Sequence, residues 1–250
     1  MNDATRHLRV VTWNIHGCVG RDGRRDVERI GGLIQAMSPD VAALQEVDSR
    51  RHHAVARDPY AYLRLQVGDH GHEAWSISGA DGHYGQMLAS RFPLRERQVH
   101  DISVPGREPR KVIEAHVALP TGVLRVIATH LGLRRGERRR QIHHLREIIL
   151  ADPVTPAVLL GDLNYWHDGA AIGLLGGLFD ERTTHRSFPS RFPVVALDRI
   201  MCRAGPRLVA SRAVREASAA SDHLPVTACI ALPAPSDAAA PEHSRRRSRY

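Results

Sequence analysis

Two short segments place acidic, amide and imidazole side chains at the ends of mostly apolar runs. Residues 161–164 (Gly-Asp-Leu-Asn) follow the apolar run 157–160, and residues 221–223 (Ser-Asp-His) precede the run 224–230. A carboxylate beside an amide, and a carboxylate beside an imidazole, are groups that hydrolysis of a phosphoester with a hard metal ion requires. This combination predicts an enzyme.

Four further fragments place polar residues beside apolar runs in the same way. They are 12–17 (TWNIHG), 44–47 (LQEV), 128–131 (ATHL) and 197–200 (LDRI). Their side chains fit the same kind of site, and we expect them to converge on one cleft at the strand ends.

Three oxygen-bearing side chains are the candidate metal ligands: Asn14, Glu46 and Asp222. Mg²⁺ takes oxygen ligands and keeps several of its waters, so one or two carboxylates are enough to hold it. Glu46 is the leading ligand because it ends an apolar strand. Asn14 can offer its amide oxygen to the metal or hold a neighbouring carboxylate with its NH₂ group. No cluster of histidine and cysteine in the sequence indicates zinc.

Five other side chains are the candidate catalytic groups. Asp162 and Asn164 are two residues apart, so they project to the same side of an extended segment. There Asp162 can accept a proton from water and Asn164 can donate a hydrogen bond to a phosphate oxygen. His223 can titrate near neutral pH, and Asp198 is the best acceptor for its second nitrogen. His130 can stabilise charge on the phosphoryl oxygens, but the sequence does not identify its orienting partner.

A run of arginines follows His130 at positions 134, 135, 138, 139 and 140. Arg134 or Arg135 can reach a substrate phosphate beside His130. An equally good interpretation is a solvated helix face balanced by glutamates. Arg110 is a weaker candidate for phosphate binding.

Composition bounds the class of protein. The chain has 250 residues, a formal charge of +8 and only one lysine, Lys111, among its 35 basic residues. Coding bias can produce such an arginine surplus, so the charge favours a polyanionic substrate only weakly. Three cysteines without metal-ligand spacing suit a reducing cytosol. The N-terminus lacks a signal-peptide core and no apolar run is long enough for a transmembrane segment, so we expect a cytoplasmic protein.

Apolar runs and turn signals alternate along residues 1–232, which predicts one catalytic domain. Helices are predicted at 26–37 and 136–150, and the region 60–117 is predicted to be mostly strand. Residues 233–250 are rich in proline and alanine and end in a basic tip, which predicts a disordered tail.

Taken together, the six fragments resemble the endonuclease/exonuclease/phosphatase superfamily, in the family's motif order from Thr12 to Val226. The resemblance implies an α/β fold, a four-layer α/β/β/α sandwich of two packed mixed sheets flanked by helices. It implies Mg²⁺ or Mn²⁺ at Asn14 and Glu46, with Asp222 close to the metal. It also implies that Asp162 and Asn164 handle water and phosphate, and that Asp198 and His223 form an acid–imidazole pair.

Two residues depart from the pattern of exonuclease III-like enzymes and indicate which branch of the family the chain resembles. His16 stands where exonuclease III-like enzymes generally carry an aspartate, and His130 stands where they use a tyrosine. Both point away from an abasic-site endonuclease. The fragment 129–131 (Thr-His-Leu) is more similar to the deoxyribonuclease, sphingomyelinase and phosphatase branches. Residues 186–193 (RSFPSRFP) are similar to small bacterial members.

The sequence therefore predicts a Mg²⁺-dependent phosphodiesterase that acts on nucleic acid or on a lipid or small-molecule phosphodiester. A phosphomonoesterase of the same fold and a catalytically silent phosphate-binding module are the alternatives. We expect a monomer with no obligate protein partner.

Overall fold

The computed structural model describes residues 7–50, 58–166 and 170–232, and gives only the backbone for 170–172. The strands are β1 (His7–Asn14), β2 (Val41–Asp48), β3 (His70–Gly79), β4 (Gly82–Ser90), β5 (Leu94–Asp101), β6 (Lys111–Leu119), β7 (Gly122–His130), β8 (Ala157–Asp162), β9 (Glu181–Arg182), β10 (Asp198–Arg203), β11 (Arg207–Ala213) and β12 (Val226–Ala231). The helices are α1 (Val27–Met37), α2 (Pro59–Leu65), α3 (Arg135–Ala151) and α4 (Ala170–Gly176), with short 3₁₀ turns at His16–Cys18 and Arg215–Ala217. The predicted tail, 233–250, lies outside the described residues.

The strands form two six-stranded mixed sheets. The first has the order β11-β12-β1-β2-β4-β3 and the second has the order β5-β6-β7-β8-β10-β9. In each sheet one central pair is parallel, β1 with β2 and β7 with β8, while the other pairs are antiparallel.

Three separate hydrophobic clusters lie between the layers. One joins the facing sides of the two sheets, with members such as Val10 and Val126. A second packs α1 and α2 on the outer side of the first sheet, around Trp13 and Ile34. A third packs α3 and α4 on the outer side of the second sheet, around Leu145 and Leu175. Because three buried interfaces separate four layers, the predicted α/β/β/α sandwich is confirmed.

The two parallel pairs bring the polar strand ends together. Asn14 at the end of β1 pairs with Gln45 of β2, and His130 at the end of β7 pairs with Asp162 at the end of β8. The antiparallel strand β10 begins at the same edge, where Asp198 pairs with Asp162. The fold therefore gathers the polar fragments at one end of the sandwich.

Local capping signals explain the helices. Asp26 accepts a hydrogen bond from the backbone N–H of Arg29 at the start of α1, as its position in the sequence favours. Helix α2 corrects the strand prediction for the first part of 60–117. It forms because the Asp58 carboxylate accepts from two backbone N–H groups and Pro59 occupies the first turn. None of the described helices has the length and apolar character needed to cross a lipid bilayer.

Candidate active site

The centre of the site is Asp162, the last residue of β8. Its Oδ2 atom accepts a hydrogen bond from Asn14 Nδ2 at 3.1 Å, and its Oδ1 accepts from the backbone N–H of Asn164 at 2.8 Å. Gly161 permits this position, because a Cβ there would lie 2.2 Å from the carbonyl oxygen of Thr129 on β7. Burial is the main cause of a raised pKa for Asp162, and Asp198 adds to it while His223 opposes it.

His223 and Asp198 form the predicted acid–imidazole pair. His223 Nδ1 lies 2.8 Å from Asp198 Oδ2, and its Nε2 lies 3.8 Å from Asp162 Oδ2. Burial alone would lower the pKa of His223, but the carboxylates of Asp198 and Asp162 outweigh burial and raise it to about 10. At neutral pH the imidazole therefore carries a proton on each nitrogen.

The segment that carries His223 is tied to the first strand. Ser221 Oγ donates to the backbone carbonyl of Asn14 at 2.8 Å, and Trp13 Nε1 donates to the carbonyl of His223 at 3.0 Å. These contacts couple the loop before β12 to the end of β1.

Asn14 links two carboxylates. Its Nδ2 atom lies 2.8 Å from Glu46 Oε1 and 3.1 Å from Asp162 Oδ2, and its Oδ1 accepts from the backbone N–H of His16 at 3.1 Å. The NH₂ group of Asn14 therefore holds two neighbouring carboxylates, which is one of the roles that the sequence allows for this residue.

Glu46 is the extra residue of a β-bulge. The register between β2 and β4 shifts between Gln45 and Val47, and Glu46 has a φ of 57°. A bulge leaves its extra residue unpaired and re-aims its side chain, which here points towards Asn14. Residues other than glycine seldom adopt this left-handed backbone conformation, and those that do are concentrated at functional sites.

His130 is the second histidine beside Asp162. Its Nδ1 is 3.3 Å from Arg110 Nη1, which supplies the orienting partner that the sequence did not reveal. Its Nε2 is 3.5 Å from Asp162 Oδ2 and 3.1 Å from Asn164 Nδ2. Burial lowers the pKa of His130 well below 6.5, and the charges of Arg110 and His223 lower it further. His130 is therefore neutral at physiological pH.

The oxygen donors of the site suit a hard cation. Glu46 and Asp162 hold the same amide nitrogen, so their carboxylates face a common space, and carboxylates are what Mg²⁺ or Mn²⁺ prefers. Asp222 is half-exposed, and its Oδ1 lies 3.9 Å from His16 Nδ1. A second candidate set, Asp162, Asp198 and His223, has ligand atoms within 4.8 Å of one another. Within this set His223 Nδ1 is hydrogen-bonded to Asp198 Oδ2.

The two arginines predicted to bind substrate, Arg110 and Arg134, line one cleft of about 310 Å³, and Arg110 also contacts His130. Arg110 is buried and its Nη1 also donates to Glu108 Oε1 at 2.8 Å, while Arg134 is exposed. Other members of the arginine run behave differently. Arg138 is buried and donates to the carbonyls of Gly132 and Leu133, whereas positions 135, 139 and 140 are exposed.

Two aromatic side chains adjoin the histidines. Tyr84 on β4 lines a small pocket with Arg110 and His130, and nothing in the sequence of β4 distinguishes it from a sheet tyrosine. Phe188, from the 186–193 segment, has its ring centroid 4.8 Å from that of His223. In the sequence, only its similarity to small bacterial members of the family distinguished that segment.

Comparisons with known proteins agree with this geometry. A family model described as the endonuclease/exonuclease/phosphatase family matches residues 11–223. The uncharacterized protein YbhP of Escherichia coli K12 is 30% identical over an alignment of 257 positions that covers 93% of this chain and 100% of YbhP.

Solved structures show the same fold. An endonuclease/exonuclease/phosphatase from Beutenbergia cavernae superposes with a TM-score of 0.75 at 24% identity, over 91% of this chain and 72% of that one. The mannosyl-6-phosphatase Bt3783 of Bacteroides thetaiotaomicron has a TM-score of 0.72 at 16% identity, over 90% of this chain and all of the phosphatase. From the family match and the shared fold, the chain belongs to the endonuclease/exonuclease/phosphatase family, whose members are hydrolases of phosphoester bonds.

Proposed function

We propose that this protein is a Mg²⁺-dependent phosphodiesterase that cleaves its substrate by in-line attack of water. The observation that carries the proposal is the position of Asp162. Its Oδ2 atom lies near both Asn14 of the Asn14–Glu46 pair and His223 of the His223–Asp198 pair. A carboxylate so placed can receive the proton of a water molecule that attacks phosphorus.

Glu46 would hold the cation, with the amide oxygen of Asn14 and the carboxylate of Asp222 as further ligands. Mn²⁺ can replace Mg²⁺ in such an oxygen-rich site. When bound, the cation neutralises phosphoryl charge and polarises the phosphoryl oxygens.

The chain's own residues then have separate roles. Asp162 accepts the proton of the attacking water, and its raised pKa makes it a stronger base than an exposed aspartate. His223, protonated and held by Asp198, stabilises the negative charge that develops on the phosphoryl group. Asn164 Nδ2 and His130 Nε2 lie 3.1 Å apart, so both can donate to one non-bridging oxygen.

Arg110 and Arg134 would bind the negative charge that flanks the scissile phosphate. Both line the same cleft, where a guanidinium can contact a phosphate or carboxylate with two N–H groups. A nucleic acid or a lipid or small-molecule phosphodiester can supply such a charge.

A phosphomonoesterase is the second candidate, favoured by the similarity to the mannosyl-6-phosphatase over 90% of this chain. A silent phosphate-binding module is disfavoured, because the carboxylates and histidines that the reaction needs are all present and contact one another.

Parallel assays of the purified protein test these possibilities. Supercoiled plasmid, bis(p-nitrophenyl) phosphate and p-nitrophenyl phosphate are each incubated with Mg²⁺ or with EDTA. The Asp162→Asn variant is compared with Asp69→Asn, a matched change at an exposed aspartate. Metal-dependent diester cleavage that only Asp162→Asn loses supports the proposal. Cleavage of the monoester alone would replace it with the second candidate.

A further inference from the structure

Arg110 is fixed in a buried position directly before β6. Only 5% of its surface is exposed, and its backbone N–H donates to Ser103 Oγ at 3.1 Å. Its Nη1 atom lies between Glu108 Oε1 at 2.8 Å and His130 Nδ1 at 3.3 Å. A guanidinium has donors and no acceptor, so Nη1 can only donate to both atoms.

The other nitrogen of His130 also faces a donor. Its Nε2 is 3.1 Å from Asn164 Nδ2, which already donates to the carbonyl of Leu131 at 2.8 Å. A neutral imidazole carries one N–H and one lone pair, so only one of its nitrogens can accept a hydrogen bond.

The charged donor decides between the two tautomers. With hydrogen on Nδ1, an N–H of His130 would face the N–H of a buried guanidinium that cannot lose its proton. With hydrogen on Nε2, the charge-assisted bond from Arg110 is made, and Nε2–H points towards the carboxylate of Asp162 at 3.5 Å. The Asn164 amide is neutral and keeps its bond to Leu131 in either case.

We propose that Arg110 is a positioning residue that holds His130 in the tautomer with hydrogen on Nε2. In this form Nε2–H and the Asn164 amide make a pair of donors directed at one phosphoryl oxygen, and that part of the inference rests on the proposed function. His223 has the opposite arrangement, because its Nδ1 faces a carboxylate instead of a guanidinium.

Nitrogen NMR of histidine side chains tests the tautomer without any substrate or metal. Protein labelled with ¹⁵N-histidine is studied at neutral pH, and the His130→Gln variant identifies the signals of His130. The wild type should show one neutral tautomer with hydrogen on Nε2. Hydrogen on Nδ1, or on both nitrogens, would overturn the proposal.

Two substitutions separate positioning from simple packing. Arg110→Met keeps much of the side-chain volume and removes the donor, so the Nδ1 signal of His130 should shift and the single tautomer should be lost. Arg110→Lys retains a charged donor and should restore the wild-type pattern at least in part. An unchanged His130 spectrum in a folded Arg110→Met variant would refute the positioning role.

Kinetics on an active substrate then show whether Arg110 acts through His130. Arg110→Met should lower kcat by roughly tenfold to a hundredfold in the wild type. In the His130→Gln background the same change should have little further effect, because the two side chains act as a unit. Equal losses of kcat in both backgrounds would mean that Arg110 does not act through His130 and would refute the positioning role. Absence of any activity would contradict the proposed function and leave the NMR result on the tautomer standing.

Discussion

His130 and His223 direct their Nε2 atoms at the same carboxylate oxygen, Oδ2 of Asp162, from 3.5 and 3.8 Å. Their Nδ1 atoms face opposite charges, since Arg110 contacts His130 and Asp198 contacts His223. Burial lowers the pKa of His130 and Arg110 lowers it further, whereas the carboxylates of Asp198 and Asp162 outweigh burial and raise the pKa of His223. One imidazole is neutral and the other is a cation, and both lie beside the proposed base.

Removing the proposed base should abolish turnover and leave the fold intact. Asp162→Asn retains the size of the side chain and cannot accept the proton of water, so we expect kcat to fall by roughly 10²- to 10⁴-fold. Melting temperature and circular dichroism check the fold, and Asp69→Asn is the matched control. Turnover within a few-fold of the wild type would exclude Asp162 as the base.

Glu46, the extra residue of the bulge, should determine how much Mg²⁺ the protein needs for activity. Glu46→Gln replaces a charged ligand with a neutral one, so we expect a higher Mg²⁺ concentration at half-maximal activity. Titration of activity with Mg²⁺ measures the change, and Glu28→Gln on the exposed face of α1 is the control. Identical titration curves for wild type and Glu46→Gln would remove Glu46 from the metal ligands.

The His223–Asp198 pair should make stability depend on pH above about 6.5. The pKa of His223 is about 10 in the folded protein and 6.5 for an ordinary histidine. Below 6.5 both states bind the proton and its stabilising contribution is complete. Between these values the unfolded chain has lost the proton that the folded protein keeps, so the free energy of unfolding falls as pH rises.

Urea unfolding of the metal-free protein, from about pH 6 to about pH 9, measures this slope. The His223→Gln variant lacks the titrating group and should show a flatter dependence. Parallel curves for the two proteins would mean that Asp198 does not hold a proton on His223 in the folded state.

Motifs at strand ends were predictable because parallel pairing brings such ends to one edge of a sheet. His130 and Asp162 follow that rule directly, since they end the two strands of one parallel pair. Asn14 ends a strand of the parallel pair in the other sheet, and the packing of the two sheets brings it to Asp162. The order of the fragments along the chain and the family resemblance were then sufficient to predict the four layers, which the fold confirms.

The contact between Arg110 and His130 was not predictable from the sequence. It joins the residue before β6 to the last residue of β7, and only the antiparallel register of the two strands brings them together. The bulge at Glu46 was equally hidden, because a single residue with positive φ leaves no composition signal in an apolar strand. Helix α2 was missed because its apolar residues also suit a strand, and the Asp58-Pro59 cap decided the outcome.

The neighbouring arginines Arg134 and Arg135 offer a matched test of the substrate cleft. Both are exposed, but Arg134 lines the cleft with Arg110 whereas Arg135 is not among its lining residues. An exposed guanidinium is partly screened by water, so Arg134→Ala should raise KM by roughly threefold to tenfold and leave kcat nearly unchanged. Arg135→Ala should leave both constants near their wild-type values. The increase for Arg134→Ala should shrink at high salt, because an exposed ionic contact weakens as screening grows. Equal effects of the two substitutions would assign the arginine run to general surface charge and remove Arg134 from the substrate cleft.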